Sequence, residues 1–443
     1  MSLTRVGDGL REAGLSEREI ARKIPLFERA SSALAARGAD PSTHFHAWVP
    51  GRIEFLGKHT DYAGGRSLLC AIERGLCVAA AARTDRQFNV VDTATGDVAR
   101  VAVESSLAAP AGHWSNYPLT VARRVASNFA VPLVGADVAF ASDLPQAAGI
   151  SSSSALVVAA FLVLERVNAL ASRPAYLRAI PTAAALAEYL GAVENGLAYG
   201  ELAGERGVGT FGGSEDHTAI LCAKEDALVQ YSFCPVRHER TVPLPRDCAF
   251  IIASSGVTAE KSGAALERYN RLATLAHTGV DRLRGTTGVV SSSLAGTVRA
   301  LGATAHDRRS LDRLLGDVTL GERVWQFAVE NEELIPAAAD ALDAGNLALL
   351  GDVVDRSMHS ATDHLHNQID ETVFLAHRAR ALGAIAASAF GAGFGGSVWA
   401  LARRADADAM ARALAADYAT AFPARAAASE LFVTRAAGGA RLL

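Results

Sequence analysis

The sequence predicts two domains that mix helices and strands. Its 443 residues exceed what one hydrophobic core usually serves, so two cores are expected. Hydrophobic residues make up 50% and charged residues 20% of the chain, which is ordinary for a soluble protein of mixed α and β structure. A new series of predicted strands and helices begins after Val229, and the chain shows neither an internal repeat nor a low-complexity linker. We therefore predict domains at residues 1–225 and 226–443.

The charge and the cysteine content indicate which partners and which cell compartment to expect. A net charge of −4 offers no basic surface for nucleic acid or for an anionic membrane, so neither is an expected partner. Residues 1–28 are charged throughout and lack the apolar centre of a signal peptide. The apolar run Ala155–Leu164 is too short to cross a bilayer. Five scattered cysteines without paired spacing indicate reduced thiols, and hence a cytoplasmic protein.

Several segments show the periodicity of helices or strands. Helices are predicted at residues 15–37, from Pro118 onward, over Ser152–Ala171 and over Leu186–Ala203. Strands are predicted at His46–Phe55, Leu68–Ala82, Val134–Phe140, Ala249–Ala253 and Ser397–Ala402. The first two strands flank a polar, glycine-rich loop, and the third strand leads into another loop of small residues.

The polar loop, Gly51–Gly65, crowds Arg52, Lys58, His59 and Asp61 between glycines at the end of an apolar run. Buried charges in such a place need polar partners or a polar ligand, because their desolvation is costly. A hydroxyl-rich molecule such as a sugar would satisfy them. A solvated turn would produce the same pattern, and this segment alone does not separate the two interpretations.

The second loop, Leu144–Ala155, leads from a strand into a helix through small residues and a run of serines. The first amides of a helix lack internal partners, and with the helix dipole they form a site for phosphate oxygens. Serine hydroxyls at this place can add hydrogen bonds or bind Mg²⁺. The alternative is an ordinary serine N-cap, and the absence of a Gly-Lys-Ser/Thr sequence excludes a Walker A loop.

These two loops and a third segment, Ser388–Ser397, occur in the order seen in the GHMP kinases, and the chain most resembles the galactokinase family among them. Its Gly51–Gly65 segment is similar to the family signature Gly-Arg-Val-Asn-Leu-Ile-Gly-Glu-His-Thr-Asp-Tyr-Asn-Gly-Gly. The resemblance implies an α+β fold of two domains with the active site in the cleft between them. Further segments that resemble the family are Trp114–Tyr117, Glu330–Glu332 and Leu350–Leu365.

The resemblance also implies roles for individual residues. Arg52 and Asp216 would form the catalytic pair, with Asp216 accepting or holding the proton of the anomeric hydroxyl and Arg52 stabilising charge. Without the resemblance, Asp216 would be read as a carboxylate that caps a glycine-rich loop. The residues implied to bind the sugar are Lys58, His59, Asp61, Gly213 and Tyr269, although for Tyr269 a packing role is an open alternative.

ATP and Mg²⁺ are the implied cofactors. The residues that would bind ATP are Trp114, near the adenine, and Gly149, Ile150, Ser151, Ser152 and Ser153, around the phosphates. Ser153 and Glu194 match the family's Mg²⁺ ligands. A buried core position is the alternative for Trp114, since tryptophans usually serve packing. The expected partners are a small sugar and ATP, and a monomer is predicted.

The chain departs from the family at Lys58, where a galactokinase has Glu, and at Glu215, where it has an apolar residue. Lysine has donors only, so the polarity of that contact to the sugar is reversed. The substrate could carry a carboxylate at C6, Lys58 could pair with Glu215, or Lys58 could point into solvent. A smaller departure is Ala147, where the phosphate loop usually has Gly, and we expect the loop to tolerate it.

The sequence thus predicts an ATP-dependent enzyme that phosphorylates the anomeric hydroxyl of galactose or a related sugar. A kinase for a uronic acid, galacturonate or glucuronate, is an alternative because of Lys58. A non-catalytic sensor of sugar and ATP is an alternative from another class, which the retained Arg52, Asp216 and serine run disfavour.

Overall fold

A computed structural model describes residues 3–107, 113–129, 132–145, 148–258 and 263–443. Ala147, expected to be tolerated in the phosphate loop, lies outside these residues. The α-helices are α1 (Leu3–Glu12), α2 (Glu17–Ala35), α3 (Asn116–Asn128), α4 (Ser152–Val167), α5 (Pro174–Ala179), α6 (Ala183–Asn195), α7 (Glu215–Cys222), α8 (Gly263–Thr287), α9 (Leu294–Leu301), α10 (Arg308–Leu315), α11 (Val318–Val329), α12 (Ile335–Asp343), α13 (Leu347–Asp363), α14 (Asp370–Ala381), α15 (Arg404–Ala421) and α16 (Pro423–Ala426). One π-helical segment, Glu330–Leu334, joins α11 to α12.

The strands are β1 (Phe45–Leu56), β2 (Arg66–Ala82), β3 (Gln87–Asp92), β4 (Val98–Ala102), β5 (Ala136–Ser142), β6 (Ala227–Ser232), β7 (Arg237–Pro243), β8 (Cys248–Ser254), β9 (Ala386–Phe390), β10 (Ser397–Arg403), β11 (Glu430–Thr434), β12 (Ala436–Ala437) and β13 (Arg441–Leu442). They form two sheets in the described part of the chain. The larger sheet has the order β13-β1-β2-β5-β3-β4. In addition, β12 and β6 each pair with β2, and β7 pairs with β6.

The larger sheet is covered by helices on both faces. Alternate residues of a strand point to opposite faces, so Ala79 and Ala139 pack against α2, while Val78 and Val138 pack on the side of α4. Only β3 and β5 run parallel among its pairings in the described residues, and the rest are antiparallel. The segment Gly51–Gly65, predicted as a loop, therefore lies partly in the long β1–β2 hairpin: its first six residues belong to β1, and residues 57–65 form the turn.

The smaller sheet has the order β11-β8-β10-β9 and is antiparallel throughout. One of its faces, with Ile251, packs against α14 and α15, and the other, with Phe250, joins the core of the larger sheet. The rings of Phe55 and Trp399 stack there with centroids 4.1 Å apart, which fixes β1 against β10. This contact brings the end of β1 close to the glycine-rich turn Gly391–Gly396.

The predicted strands and most predicted helices are confirmed, with shifted ends. The helix predicted over Leu186–Ala203 is too long at its C-terminal end, because α6 ends at Asn195 and Gly196 adopts φ of +78° as its cap. Likewise α4 ends at Val167, before Ala171. Strands β6, β7, β12 and β13, from beyond residue 225, pair within the larger sheet. The domain boundary stays a prediction.

None of the helices in the described residues is long and apolar enough to span a membrane.

Candidate active site

A cleft lies where the end of β1, the first turn of α7 and the turn Gly391–Gly396 meet. It gathers most of the residues that the sequence singled out for catalysis and sugar binding. The residues that line it are Arg52, Glu54, His59, Asp61, Tyr62, Ser154, Glu194, Asn195, Thr210, Gly212, Gly213, Glu215, Asp216, His217, Tyr269, Gly391 and Ala392.

Arg52 and Asp216 are in direct contact in this cleft. The Arg52 Nε donates to Asp216 Oδ1 over 2.7 Å, and its Nη1 donates to the Gly149 carbonyl over 2.6 Å. Burial opposes the charge of the guanidinium, but the carboxylates of Asp216 and Glu54 outweigh it and raise the pKa of Arg52. One cation thus links the candidate base on α7 to the loop before α4.

His59 and Asp61 hold fixed positions at the turn of the hairpin. The Ala392 carbonyl can only accept, so His59 Nε2 donates to it over 3.0 Å, and His59 Nδ1 shares a hydrogen bond with the Tyr62 hydroxyl over 2.9 Å. Asp61 Oδ2 accepts from the backbone amide of Glu215 over 3.1 Å. His59 therefore ties the hairpin turn to the turn Gly391–Gly396, and Asp61 ties it to α7.

Gly213 stands directly opposite Asp61. A Cβ on Gly213 would lie 2.3 Å from Asp61 Oδ2, so no side chain fits between them. Tyr269 also lines the cleft, with its ring 5.2 Å from that of His59. Burial and the nearby carboxylate of Asp61 raise the pKa of its hydroxyl well above the usual value, so it remains a donor.

Lys58 is buried and does not line the cleft in the described residues, with 1% of its surface exposed. Its Nζ donates to Ser388 Oγ on β9 over 2.9 Å. Of the three alternatives for Lys58, the one in which it points into solvent is wrong, because the β1–β2 turn carries it between the two sheets. Among the ion pairs of the described residues there is none between Lys58 and Glu215, whose Oε2 accepts from Ser67 Oγ over 2.8 Å. Lys58 instead favours the charged form of Glu54.

The phosphate loop forms the other wall. Gly149 adopts φ of +72° and Ser151 φ of +59° just before α4 begins at Ser152. The hydroxyl of Ser151 is buried and finds no partner in the described structure. An unpartnered hydroxyl at the start of a helix suits a phosphate oxygen. Ile150 is buried beneath the loop.

The serine that reaches Glu194 is Ser154. Its Oγ donates to Glu194 Oε2 over 2.9 Å and to Asp216 Oδ2 over 3.3 Å. Ser153, predicted as the metal ligand, is partly exposed one residue earlier on α4. No cluster of three or more His, Cys, Asp or Glu that could hold a metal occurs in the described residues. Mg²⁺ in kinases needs only one or two carboxylates besides phosphates, so this donor set fits it.

Trp114 lies outside the cleft lining, half-buried against the main core. Its ring meets Phe140 edge-on with centroids 5.8 Å apart, and its Nε1 is buried with no acceptor in the described structure. The packing is that of a core residue, and its role near the adenine stays a prediction.

Three family profiles match the chain in order. They are the galactokinase galactose-binding signature over residues 37–82, the GHMP kinases N terminal domain over 116–200 and the GHMP kinases C terminal over 338–420. A galactokinase of Roseiflexus sp. (strain RS-1) is 29% identical over 402 residues, which cover 89% of this chain and 92% of that protein. The chain belongs to the galactokinase family of the GHMP kinases. It is therefore a kinase, a phosphotransferase with an alcohol group as acceptor.

Another relative and two solved structures are also similar to the chain. A galactokinase of Chloroflexus aggregans (strain MD-66 / DSM 9485) is 28% identical over 377 residues, covering 84% of this chain and 87% of that one. The crystal structure of Lactococcus lactis galactokinase complexed with galactose superposes with a TM-score of 0.78, at 23% identity, over 93% of this chain and 99% of that one. The Methanococcus jannaschii mevalonate kinase superposes with a TM-score of 0.53, at 13% identity, over 89% of this chain and 98% of that one. The predicted two-domain α+β fold is confirmed.

The segment Glu330–Glu332, which resembles the galactokinase family, forms hydrogen bonds to both ends of the β1–β2 turn. Glu330 accepts from the Gly57 amide over 3.1 Å and from Ser357 Oγ over 2.9 Å. Asn331 Oδ1 accepts from the Arg66 amide over 2.6 Å. These contacts fix both ends of the turn that carries His59 and Asp61.

The sequence reasoning missed Glu54, Ser154 and His217. His217 is buried, and its Nε2 lies 3.1 Å from Glu194 Oε2. Glu54 is two residues after Arg52 on β1, and residues two apart lie on the same face of a strand. This spacing could have identified Glu54 as a site residue. Ser154 follows Ser153 directly, so only the turn geometry before α4 decides which serine faces Glu194.

Proposed function

We propose that this protein transfers the γ-phosphoryl group of ATP to the anomeric hydroxyl of galactose and releases a sugar 1-phosphate. The observation that carries the proposal is the contact between Arg52 and Asp216 in a cleft that also gathers His59, Asp61 and Gly213. A carboxylate and a guanidinium side by side can hold an attacking hydroxyl and offset the charge that develops on it.

Each residue of the pair has a separate task in this proposal. Asp216 accepts the proton of the anomeric hydroxyl, or orients that hydroxyl by a hydrogen bond, as it attacks the γ-phosphorus. Arg52 neutralises Asp216 and lies beside the Gly149 carbonyl, at the border between sugar and phosphate. Little covalent work is required of the protein, because phosphoryl transfer depends chiefly on positioning and on charge stabilisation.

The phosphates of ATP would lie against the backbone of Gly149–Ser153 and the positive end of α4. The unpartnered hydroxyl of Ser151 supports this location. Glu194 and the serines at the start of α4 would hold Mg²⁺, which supplies neutralisation of phosphate charge when bound. We propose both Ser153 and Ser154 as candidates, since Ser154 contacts Glu194.

Galactose is favoured over a uronic acid because of where Lys58 lies. The uronate alternative needs the ammonium of Lys58 at the substrate, but it is buried against Ser388 and absent from the cleft lining. The sensor alternative gains no support, because the Arg52–Asp216 pair is intact.

ATP-dependent turnover, measured by ADP release, tests the proposal across galactose, glucose, arabinose, galacturonate and glucuronate. Turnover of galactose above all the others is expected. Turnover of an acidic sugar alone would overturn the choice of substrate, and no turnover of any sugar, by protein shown to bind one, would favour a sensor.

The cellular compartment and the oligomeric state of the protein are also proposed. We propose a cytoplasmic monomer in which residues 1–225 and 226–443 enclose the substrates. All five cysteines are free, which suits a reducing compartment. Sedimentation of the purified protein tests the monomer.

A further inference from the structure

Two buried carboxyl groups, Glu54 on β1 and Glu215 at the start of α7, lie side by side in the wall of the cleft. Glu54 is 3% and Glu215 is 5% exposed, and both line the cavity. Glu215 is within hydrogen-bonding reach of Glu54. Two such groups repel strongly when both are charged, so one proton between them is the stable arrangement.

The hydrogen bonds around the pair fit a shared proton. Glu54 Oε2 accepts from the Gly391 amide over 3.2 Å, whereas its Oε1 is buried and receives no other donor in the described structure. Glu215 Oε2 accepts from Ser67 Oγ over 2.8 Å. A protonated Glu215 that donates to Glu54 supplies the missing donor. Burial, followed by the charge of Glu54, also raises the pKa of Glu215 well above its usual value.

The cations nearby do not cancel the negative character of the cavity. Arg52 already donates to Asp216 and to the Gly149 carbonyl. Lys58 lies behind the wall, on Ser388, and does not line the cavity. Besides the pair, Asp61, Glu194 and Asp216 present carboxylates to the same space. A substrate carboxylate would therefore enter a site with no uncommitted cation among the described lining residues.

We infer that Glu54 and Glu215 act as one hydrogen-bonded carboxyl pair that determines sugar specificity, accepting a sugar that presents hydroxyl groups and excluding one that carries a carboxylate. The inference rests on the proposed sugar kinase function and specifies its substrate class, an uncharged hexose. Exclusion by an unpaired like charge is a common means of specificity. It does not require Lys58 to touch the substrate.

The experiment compares galacturonate with galacturonamide, which has nearly the same shape and no charge. Each is tested on the wild-type protein as a competitor of galactose, by inhibition of turnover and by calorimetric binding. Galacturonamide is expected to bind at least about tenfold more tightly than galacturonate, a difference of about 1.4 kcal/mol. Equal binding of the two to the wild type, or tighter binding of galacturonate, would overturn the inference.

Variants then assign the discrimination to the pair. Glu54→Gln and Glu215→Gln, singly and together, should reduce the ratio of the two dissociation constants severalfold toward one. Glu165→Gln is the matched control, because Glu165 is a half-buried carboxyl that accepts from the Tyr176 hydroxyl over 2.7 Å outside the cleft. An unchanged ratio in folded variants would remove the pair from specificity. Calorimetric binding does not depend on turnover, so failure of the proposed function is recognised separately.

Discussion

The guanidinium of Arg52 and the carboxylate of Asp216, 164 residues apart in the chain, are joined by a 2.7 Å hydrogen bond in the cleft. Arg52 belongs to a β1 strand buried along its whole length, and Asp216 to the first turn of α7. Both elements are held by the hydrophobic core, so the pair is preorganised before substrate arrives. Preorganised charge is what an enzyme needs at a developing anion.

Asp216→Asn should abolish most turnover while the protein stays folded and binds sugar. The amide keeps the shape of the side chain but loses the charge and the proton acceptor, and we expect kcat to fall by about 10²–10³ or more. Steady-state kinetics with galactose and calorimetric binding measure the two effects. Asp340→Asn, at an exposed ion pair with Arg240, is the control that should leave kcat unchanged. Turnover of Asp216→Asn near the wild-type rate would remove Asp216 from catalysis.

Gly213→Ala should weaken sugar binding, because the added Cβ would lie 2.3 Å from Asp61 Oδ2 and must displace it. We expect the KM for galactose to rise by roughly ten- to a hundredfold, as misplaced binding groups usually cost that much. Gly285→Ala is the control, since it lies within α8 with open space at its Cβ position. A KM within twofold of wild type for Gly213→Ala would show that Asp61 does not bind the sugar.

Glu54→Gln should change how stability depends on pH. Burial raises the pKa of Glu54 to about 7, whereas the unfolded chain has the ordinary value of about 4.5. The folded state holds the proton more tightly, so this contribution is fully present below about pH 4.5 and is lost as the pH rises through about 7. The free energy of unfolding of Glu54→Gln should therefore fall less between pH 5 and 7.5 than that of the wild type. Urea unfolding at several pH values measures it, and parallel curves for the two proteins would contradict the assignment.

Glu194→Gln should raise the Mg²⁺ concentration needed for half-maximal activity. The carboxylate accepts from Ser154 Oγ at the start of α4, and its loss removes the charged candidate ligand. We expect an increase of about tenfold or more in titrations of Mg²⁺ at fixed ATP. Glu188→Gln, six residues earlier on α6 and outside the cleft lining, is the matched control. An unchanged Mg²⁺ requirement would place the metal elsewhere.

The sequence predicted the elements of the fold, and most of the residues that it singled out for catalysis and sugar binding lie together in one cleft. The alternation along His46–Phe55 and Leu68–Ala82 found the hairpin, because a strand period of two is a local property. The run of serines after Gly149 found the start of α4 for the same reason. The glycine that ends α6, Gly196, is also a local signal, because glycine is the usual residue at the C-terminal cap of a helix. The prediction of a longer helix did not take it into account.

Contacts between distant segments could not be predicted in this way. Lys58 binds Ser388 only because the two sheets pack together at Phe55 and Trp399. Glu54 approaches Glu215 only because α7 packs against β1. Neither distance follows from any local pattern. Which of Ser153 and Ser154 faces Glu194 likewise depends on the left-handed backbone of Ser151, just before α4.

The most direct test of the account is the product formed from galactose and ATP by the wild-type protein, identified by phosphorus and proton NMR. We predict a galactose phosphate whose phosphorus couples to the anomeric proton, together with one ADP for each sugar phosphorylated. A phosphate on another carbon, or galactose left unchanged by a protein that binds it, would contradict the proposed roles of Arg52 and Asp216.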